Sequence, residues 1–274
     1  MYEAYWSLDQ KPFDTTSSSD FYYPGESHQG ALLKLRYAIE NRRGAAVLAG
    51  AAGLGKSLLI DALFRQLPAN YNPRVHLVFP QLKSEQLLAF LAEELAGTLS
   101  EFGGSASPEV NVRRIRDTLS DVTQAGHHTV VVIDEAHLLD ELDAFETVRL
   151  LLNFSTDNQS DLTIVLVGQP QILAALDRTP ALEERVGVKC LLRPFSEEET
   201  ASYVTHRLTA AGATQSIFAD SALSTVHALS HGVPRRINRL CDLALLVGFA
   251  EERTSISAEQ IESVADEMIS VSPD

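Results

Sequence analysis

The 274-residue chain has few cysteines, comparatively few positive charges and no long apolar run. Its two cysteines, Cys190 and Cys241, lie far apart and outside any CxxC motif, which argues against a disulfide framework and a zinc cluster. We therefore expect a reducing, cytoplasmic location. Lysine and arginine number 22 against 37 acidic residues, and the net charge of -15 excludes a generally basic coat for nucleic acid, although not a local basic patch.

Membrane-spanning and targeting segments are also missing from the sequence pattern. The most apolar stretch, residues 240–250, is short and contains Asp242, whereas a transmembrane helix needs about 20 apolar residues. The first 13 residues lack the basic start and continuous apolar stretch of a signal peptide. We expect no membrane span within this chain.

The remaining composition is that of a globular protein, with 45% hydrophobic and 22% charged residues. The length suits a large domain with a smaller one. Changes in pattern along the chain predict three regions: an aromatic arm and helix over 1–43, a core domain over 44–193 and a helical domain over 194–274.

The first region is rich in aromatic side chains. Seven of the 19 aromatic residues lie within the first 23 positions. These seven are Tyr2, Tyr5, Trp6, Phe13, Phe21, Tyr22 and Tyr23. The pattern predicts an ordered, irregular arm followed by a helix over 27–42. The aromatic rings either anchor the arm to the core or cover a planar ligand, and the sequence leaves both interpretations open.

The second region alternates short apolar runs with amphipathic stretches. Strands are predicted over 45–49, 75–79, 129–133, 163–167 and 188–192. Helices are predicted over 58–67, 84–101, 111–124 and 144–154. Alternation of this kind predicts a parallel sheet covered on both faces. The segment GGSASP, residues 103–108, reads as a flexible connection within the domain.

The third region contains no β-rich run and predicts four helices. Ser196 and Glu199 form a capping box at the start of the first helix. The second helix is predicted over 219–230. Pro234 suits the first turn of the third, where its missing N–H has no cost. Ser257 with Gln260 caps the fourth.

The strongest motif runs from Gly50 to Ser57 and reads GAAGLGKS, which fits GxxxxGK[ST]. It follows an apolar run and opens a helix, so its N–H groups can form an anion nest at a helix N-terminus. Lys56 would reach the β- and γ-phosphates of ATP, and Ser57 would ligate Mg²⁺. We expect Lys56 to face solvent when no ligand is bound. The candidate nucleotide-binding residues are Gly50, Ala51, Ala52, Gly53, Leu54, Gly55, Lys56, Ser57 and Leu58.

A second motif, VVVIDE, ends a predicted buried strand in two carboxylates. This is the Walker B pattern, in which Asp134 would support Mg²⁺ and Glu135 would polarise the attacking water. The string continues as DEAH, which is also found in RNA helicases. Such helicases need a second sheet domain, and the residues after 193 are predicted to be helical. His137 is therefore interpreted as a structural residue at a helix start.

Three further polar residues are candidates for contact with the γ-phosphate. Gln169 follows a predicted strand and either contacts the phosphate or caps the backbone before Pro170. Arg185 is either an arginine finger for a neighbouring subunit or the partner of an acid such as Glu183. Arg235 opens the third helix of the last region and is a phosphate sensor or a solvated side chain.

Other arginines have a weaker functional signal. Arg113, Arg114 and Arg116 form a short basic face. We interpret it chiefly as a solvated helix surface, with a nucleic-acid or partner patch as the alternative. Arg236 and Arg239 are predicted to lie on the surface or to face a partner.

These residues give the chain a resemblance to the AAA+ ATPases of the ExeA/GspA secretion family, with TnsC, TniB and MuB transposition ATPases as related branches. The similar segments run nearly end to end and include LVGQP at 166–170 and GVPRRIN at 232–238. The phosphate loop ends in Ser57, where the family usually has threonine. The resemblance implies that Gln169 is sensor 1, Arg185 a finger candidate and Arg235 sensor 2.

The expected fold is an α/β P-loop NTPase core with a C-terminal all-helical lid. The resemblance implies a homo-oligomer, ring or filament, that hydrolyses ATP at subunit interfaces and assembles or remodels a protein partner. A DNA-binding transposition regulator and a non-hydrolysing nucleotide switch are the alternatives. Secretion-type members continue past the position of Asp274 into a membrane span and a peptidoglycan-binding region, so we do not expect this chain alone to be wall-anchored.

Overall fold

The computed structural model describes residues 1–14, 21–78, 80–97, 106–142, 144–156 and 159–270. The chain forms two compact units. The α/β unit contains Ser27–Ala52 and Leu59–Leu192, and the helical unit contains Met1–Glu26, Gly53–Leu58 and Arg193–Asp274. Half of the predicted flexible connection at 103–108, residues 103–105, lies outside the described residues.

A five-stranded parallel sheet forms the centre of the α/β unit, in the order β2-β3-β6-β1-β7. Its strands are β1 (Ala45–Ala49), β2 (Arg74–Leu77), β3 (Thr129–Ile133), β6 (Leu162–Gly168) and β7 (Val186–Leu191). The three central strands, β1, β3 and β6, are buried along their whole length, as their nearly continuous apolar sequences predict. A separate two-stranded hairpin is formed by β4 (Ser155–Thr156) and β5 (Gln159–Ser160).

One helix precedes the first strand, and the other helices of this unit lie between the strands. The helices are α1 (Glu26–Glu40), α2 (Lys56–Gln66), α3 (Ser84–Ala96), α4 (Pro108–Gln124), α5 (Phe145–Leu151), α6 (Gln171–Asp177) and α7 (Pro180–Glu183), together with a 3₁₀ helix over Ala136–Leu142. Side chains from the strands and helices form one continuous core. The predicted parallel sheet with helical connections is therefore confirmed.

Several boundaries differ from the predictions. Helix α2 starts at Lys56 rather than at 58, because the last residues of the glycine-rich loop form its first turn. Strand β7 starts at Val186, two residues earlier than predicted, and a side chain at Gly187 would lie 2.7 Å from Cβ of Arg43. Gly187 thus allows the chain to approach closely where the β1–β7 register shifts. The hairpin, the 3₁₀ helix, α6 and α7 were not predicted, because each is too short to show a periodicity.

The helical unit contains α8 (Glu197–Ala210), α9 (Asp220–Ser230), α10 (Pro234–Ala250) and α11 (Ala258–Ser270). The predicted capping box is present: Ser196 Oγ accepts from Glu199 N at 3.1 Å, and the Glu199 carboxylate accepts from Ser196 N at 3.0 Å. Gln260 accepts from the backbone of Ser257 at 3.0 Å before α11. All four predicted helices form, and no described helix is long and apolar enough to cross a membrane.

The N-terminal arm packs within the helical unit. Trp6 Nε1 donates to the carbonyl of Leu245 at 3.0 Å. The buried guanidinium of Arg207 donates to the carbonyls of Pro12 and Asp14 and lies 4.4 Å from the centre of the Phe21 ring. These contacts support the interpretation that the aromatic residues anchor the arm.

A buried histidine makes the α/β unit sensitive to acid. His128 accepts or donates one hydrogen bond with Thr163 Oγ1 at 2.9 Å, and burial, assisted by the nearby charge of Arg42, lowers the pKa of His128 from 6.5 to about 4. The unfolded chain therefore binds a proton between pH 6.5 and 4 that the folded chain does not bind. The part of the unfolding free energy that depends on neutral His128 is fully present above pH 6.5, and it is lost as the pH falls towards 4.

We predict that His128→Gln makes the unfolding free energy less sensitive to acid. Between pH 7 and pH 4 the variant should lose about 3 kcal/mol less unfolding free energy than the wild type. Urea unfolding at several pH values measures this change. The control is His127→Gln, because His127 is the exposed neighbour. An unchanged pH dependence in the His128 variant would show that another group dominates.

Candidate active site

The carboxyl ends of three adjacent strands lie side by side at one end of the sheet. Strand β1 leads into the phosphate loop at Gly50, β3 ends before Asp134, and β6 lies between them and ends before Gln169. Gly50 N donates to the carbonyl of Gly168 at 3.0 Å, and Asp134 N donates to the carbonyl of Leu77 at 2.8 Å. Ligands of open parallel sheets bind at this end, so the structure brings three of the predicted site segments together.

The phosphate loop has the backbone conformation that its glycines predict. Gly53 and Gly55 have φ values of 82° and 85°, in the left-handed region that residues with side chains rarely adopt. Leu54, between them, is buried. Helix α2 starts immediately afterwards at Lys56, so its N-terminal N–H groups and the positive end of its dipole lie at the end of the loop, as anion binding requires.

Within the helical unit, the predicted sensor arginine lies directly on the phosphate loop. Arg235 N, in the first turn of α10, donates to the carbonyl of Gly53 at 3.2 Å. A Cβ atom at Gly53 would lie 2.9 Å from Cβ of Arg235 and 3.3 Å from Cγ1 of Val233. Gly53 is thus required for its φ angle and for the close approach of α10. The side chain of Arg235 is exposed.

One expectation about the loop is wrong. Lys56 was expected to face solvent without ligand, but only 7% of its surface is exposed. It also takes part in a polar or electrostatic contact within the protein. A lysine buries its methylene stem readily while its ammonium group finds a partner. Removal of the whole side chain would therefore alter packing as well as charge.

The acidic pair after β3 consists of two carboxylates in different surroundings. Asp134 is 6% exposed, and its Oδ1 accepts from the backbone N–H of Glu135 at 2.8 Å. Glu135 has a φ value of 50°, which costs a non-glycine residue about 1–2 kcal/mol. Its side chain is 44% exposed. Asp134 is thus fixed in position, whereas the carboxylate of Glu135 is accessible to a solvent molecule.

A residue that was assigned only a structural role also belongs to this site. His137 lies in the first turn of the 3₁₀ helix, as a helix-start residue should. Its Nδ1 lies 3.4 Å from the backbone nitrogen of Gln169 and 3.5 Å from Oε2 of Glu135. The sequence signal was the DEAH string, but spacing alone does not bring His137 to the end of a strand that follows 25 residues later.

Arg185 lies at the opposite end of the strands from Gly50, Asp134 and Gln169. It directly precedes β7, which runs parallel to β1, so it is at the amino ends of the strands. Its Nη1 donates to the carbonyl of Leu152 at 3.1 Å. Glu183, the acid considered as its intrasubunit partner, instead pairs with Lys189 at 2.6 Å.

The remaining arginines differ in their partners. Arg178 pairs with Asp140 at 2.5 Å. Arg116 pairs with Asp117 at 2.8 Å. Arg236 and Arg239 are exposed on α10, as predicted for surface positions.

The donor groups of the site suit magnesium. Ser57 supplies a hydroxyl oxygen next to Lys56, and Asp134 supplies a buried carboxylate at the sheet edge. Mg²⁺ prefers oxygen ligands and is usually held by one or two protein side chains, with phosphates and waters completing its shell. By its chemistry, each of these two side chains is therefore a suitable ligand for this ion.

The strand order and the glycine-rich loop between β1 and α2 define a P-loop NTPase of the AAA+ type. A family model described as an AAA domain matches residues 39–176, just over half of the chain. The chain therefore belongs to the AAA domain family.

The sequence is 34% identical over 278 residues to the General secretion pathway protein A of Aeromonas hydrophila. That similarity covers 97% of this chain and 50% of the relative, so the chain spans half the length of the curated relative that it matches. The predicted resemblance to the GspA family is thereby confirmed.

Solved structures confirm the fold. The ORC2 protein of Aeropyrum pernix, in its ADPNP–ADP complexes, has a TM-score of 0.73 at 16% identity, with 97% of this chain and 73% of that chain covered. The RuvB Holliday junction branch migration motor of Thermotoga maritima has a TM-score of 0.56 at 17% identity, with 87% and 69% covered. At these identities the similarity establishes the α/β AAA+ fold with its helical C-terminal part.

Proposed function

We propose that this chain binds ATP with Mg²⁺ on its phosphate loop and hydrolyses it to ADP and phosphate. The observation that carries the proposal is the conformation of the loop. Two glycines with positive φ lie between a buried strand and the first turn of a helix. The loop begins at the sheet edge where Asp134 and Gln169 lie, and membership of the AAA domain family supports the same conclusion.

Each residue then has a distinct role. Lys56 contributes positive charge towards the β- and γ-phosphates, and Ser57 and Asp134 would hold Mg²⁺, which neutralises charge that develops on the phosphates. Glu135 orients the attacking water and accepts its proton. Gln169 and Arg235 contact the γ-phosphate or the water beside it.

We further propose that nucleotide state controls the assembly of a cytoplasmic homo-oligomer, ring or filament, which acts on a protein partner. Two observations support this proposal. The chain is similar to General secretion pathway protein A, and Arg185 lies at the amino ends of the strands, away from the candidate active site at their carboxyl ends. DNA binding receives less support from the basic face on α4. There Arg116 is paired with Asp117, and Arg114 lies in a groove with Asp117, Asp121 and Glu93.

The test of nucleotide binding is Lys56→Met, which removes the charge but keeps most of the buried stem. We expect the dissociation constant for ATP, measured by calorimetry with Mg²⁺, to rise at least about 100-fold, because charge-assisted contacts to two phosphates are lost. The melting temperature without nucleotide should change little.

The matched control is Lys34→Met, because Lys34 is an exposed lysine on α1. It should bind ATP as the wild type does. Equal ATP affinity of the Lys56 variant and the wild type would reject the assignment of the phosphate loop. A wild-type chain that binds ATP but does not hydrolyse it under any condition of assembly would favour the non-hydrolysing switch.

A further inference from the structure

We propose that His137 is a positioning residue that holds the carboxylate of Glu135 and couples it to the backbone of Gln169. This inference rests on the proposed role of Glu135 in hydrolysis. It assigns a role to the histidine of the DEAH string that differs from a simple helix start.

Close packing places His137 at the end of β6. A side chain at Gly168 would lie 3.2 Å from the backbone nitrogen of His137 and 3.3 Å from its Nδ1. Such distances are shorter than ordinary van der Waals contact, so a side chain at residue 168 would require His137 to shift by a few tenths of an ångström. The ring is 14% exposed, and this packing restricts where its nitrogen can lie.

Nδ1 of His137 has two polar neighbours at nearly equal distances. The backbone N–H of Gln169 is a donor whose nitrogen is 3.4 Å away, and the carboxylate of Glu135 is an acceptor 3.5 Å away. A ring nitrogen accepts when unprotonated and donates when it carries a proton, so it can serve only one of these neighbours at a time. Nδ1 can therefore accept a hydrogen bond from Gln169 N–H or donate one to the Glu135 carboxylate, but it cannot do both at once.

This exclusion links the candidate sensor segment to the catalytic carboxylate. When the backbone at Gln169 moves away from the ring, the neutral imidazole can change tautomer through water, losing its proton at Nε2 and gaining one at Nδ1. Nδ1 then donates to Glu135 and orients its carboxylate. When the N–H of Gln169 bonds to Nδ1, the carboxylate loses that donor. The left-handed backbone of Glu135 is consistent with a strained segment at a functional site.

The decisive variant is His137→Phe, which keeps an aromatic ring against Gly168 but has no nitrogen. We expect kcat for ATP hydrolysis to fall about 10- to 100-fold, as small misplacements of a catalytic group do. KM and the ATP dissociation constant should stay within about twofold, because the phosphate loop is untouched. His137→Asn, whose amide lies near the position of Nδ1 and can donate or accept, should recover most of the rate.

A double variant separates positioning from a general structural effect. In a Glu135→Gln background, His137→Phe should cause no further loss of kcat, because the carboxylate that His137 holds is already absent. If the Phe variant does not fold, His137→Ala gives the same comparison without an added bulky group.

The outcomes also separate this inference from the proposed function. Wild-type kcat in His137→Phe, or equal loss in the Phe and Asn variants, overturns the positioning role while ATP hydrolysis by the wild type stands. A folded wild-type chain that binds ATP but never hydrolyses it overturns the proposed hydrolysis, and the role of His137 falls with it.

Discussion

Arg185→Ala should bind ATP with wild-type affinity yet hydrolyse it about 10³- to 10⁵-fold more slowly, the range measured for loss of an arginine finger. The reason is the position of Arg185 relative to the two ends of the strands in the main sheet. Arg185 precedes β7, while Gly50, Asp134 and Gln169 follow the carboxyl ends of β1, β3 and β6. The six residues of β7 span about 20 Å. This distance is too long for the Arg185 side chain to reach the carboxyl ends of the strands in its own subunit. A catalytic Arg185 therefore acts on a neighbour.

Mixing two inactive variants tests this geometry. Arg185→Ala retains a phosphate loop, and Lys56→Met retains a finger, so sites formed between them contain both parts. In head-to-tail assemblies mixed at random in equal amounts, about a quarter of the sites should be active. Arg36→Ala, which removes a partly exposed arginine paired with Glu40, is the control and should keep full activity.

Two results would contradict a finger in trans. One is a mixture that stays inactive although size-exclusion chromatography shows that the variants co-assemble. The other is a monomer that hydrolyses at the full rate. The hydrogen bond from Arg185 to the Leu152 carbonyl would then be its function, and Arg149 and Arg178 would be the next candidates.

Glu135→Gln should separate ATP binding from hydrolysis. The amide keeps the size and exposure of the side chain but cannot accept a proton from water, so kcat should fall about 10²- to 10⁴-fold. Asp134 and Lys56 are unchanged, and the ATP dissociation constant should stay within about twofold. The ATP-bound assembly should accumulate because its breakdown is blocked.

Single-turnover hydrolysis and size-exclusion chromatography with ATP measure these two effects. Glu259→Gln, on the exposed side of α11, is the matched control and should behave as the wild type. If Glu135→Gln turns over ATP at the wild-type rate, Glu135 is not the catalytic carboxylate.

Local sequence patterns were sufficient for most of the fold. The five apolar runs became the five strands of the main sheet, and the capping box at Ser196 and the proline at 234 start helices as predicted. The phosphate loop was also predictable, because its glycines are needed at fixed positions between a strand and a helix. These features depend on interactions within a few residues, which a sequence displays directly.

Features that depend on distant residues could not be predicted in this way. The order of the strands places β6 between β3 and β1, and only that order brings Gln169 beside His137. The arm could have packed elsewhere, since aromatic residues indicate burial but not the surface against which they are buried.

The sequence alone thus determined the parallel sheet, the helical C-terminal region and the phosphate-binding motif. The tertiary structure decided that Lys56 is buried, that Arg235 lies on the loop at Gly53, that Arg185 is at the opposite edge from Asp134, and that one nitrogen of His137 lies between two partners. The physical reason is that each of these features depends on the positions of residues remote in the chain. Their distances are set by strand order and close packing, which local patterns do not specify.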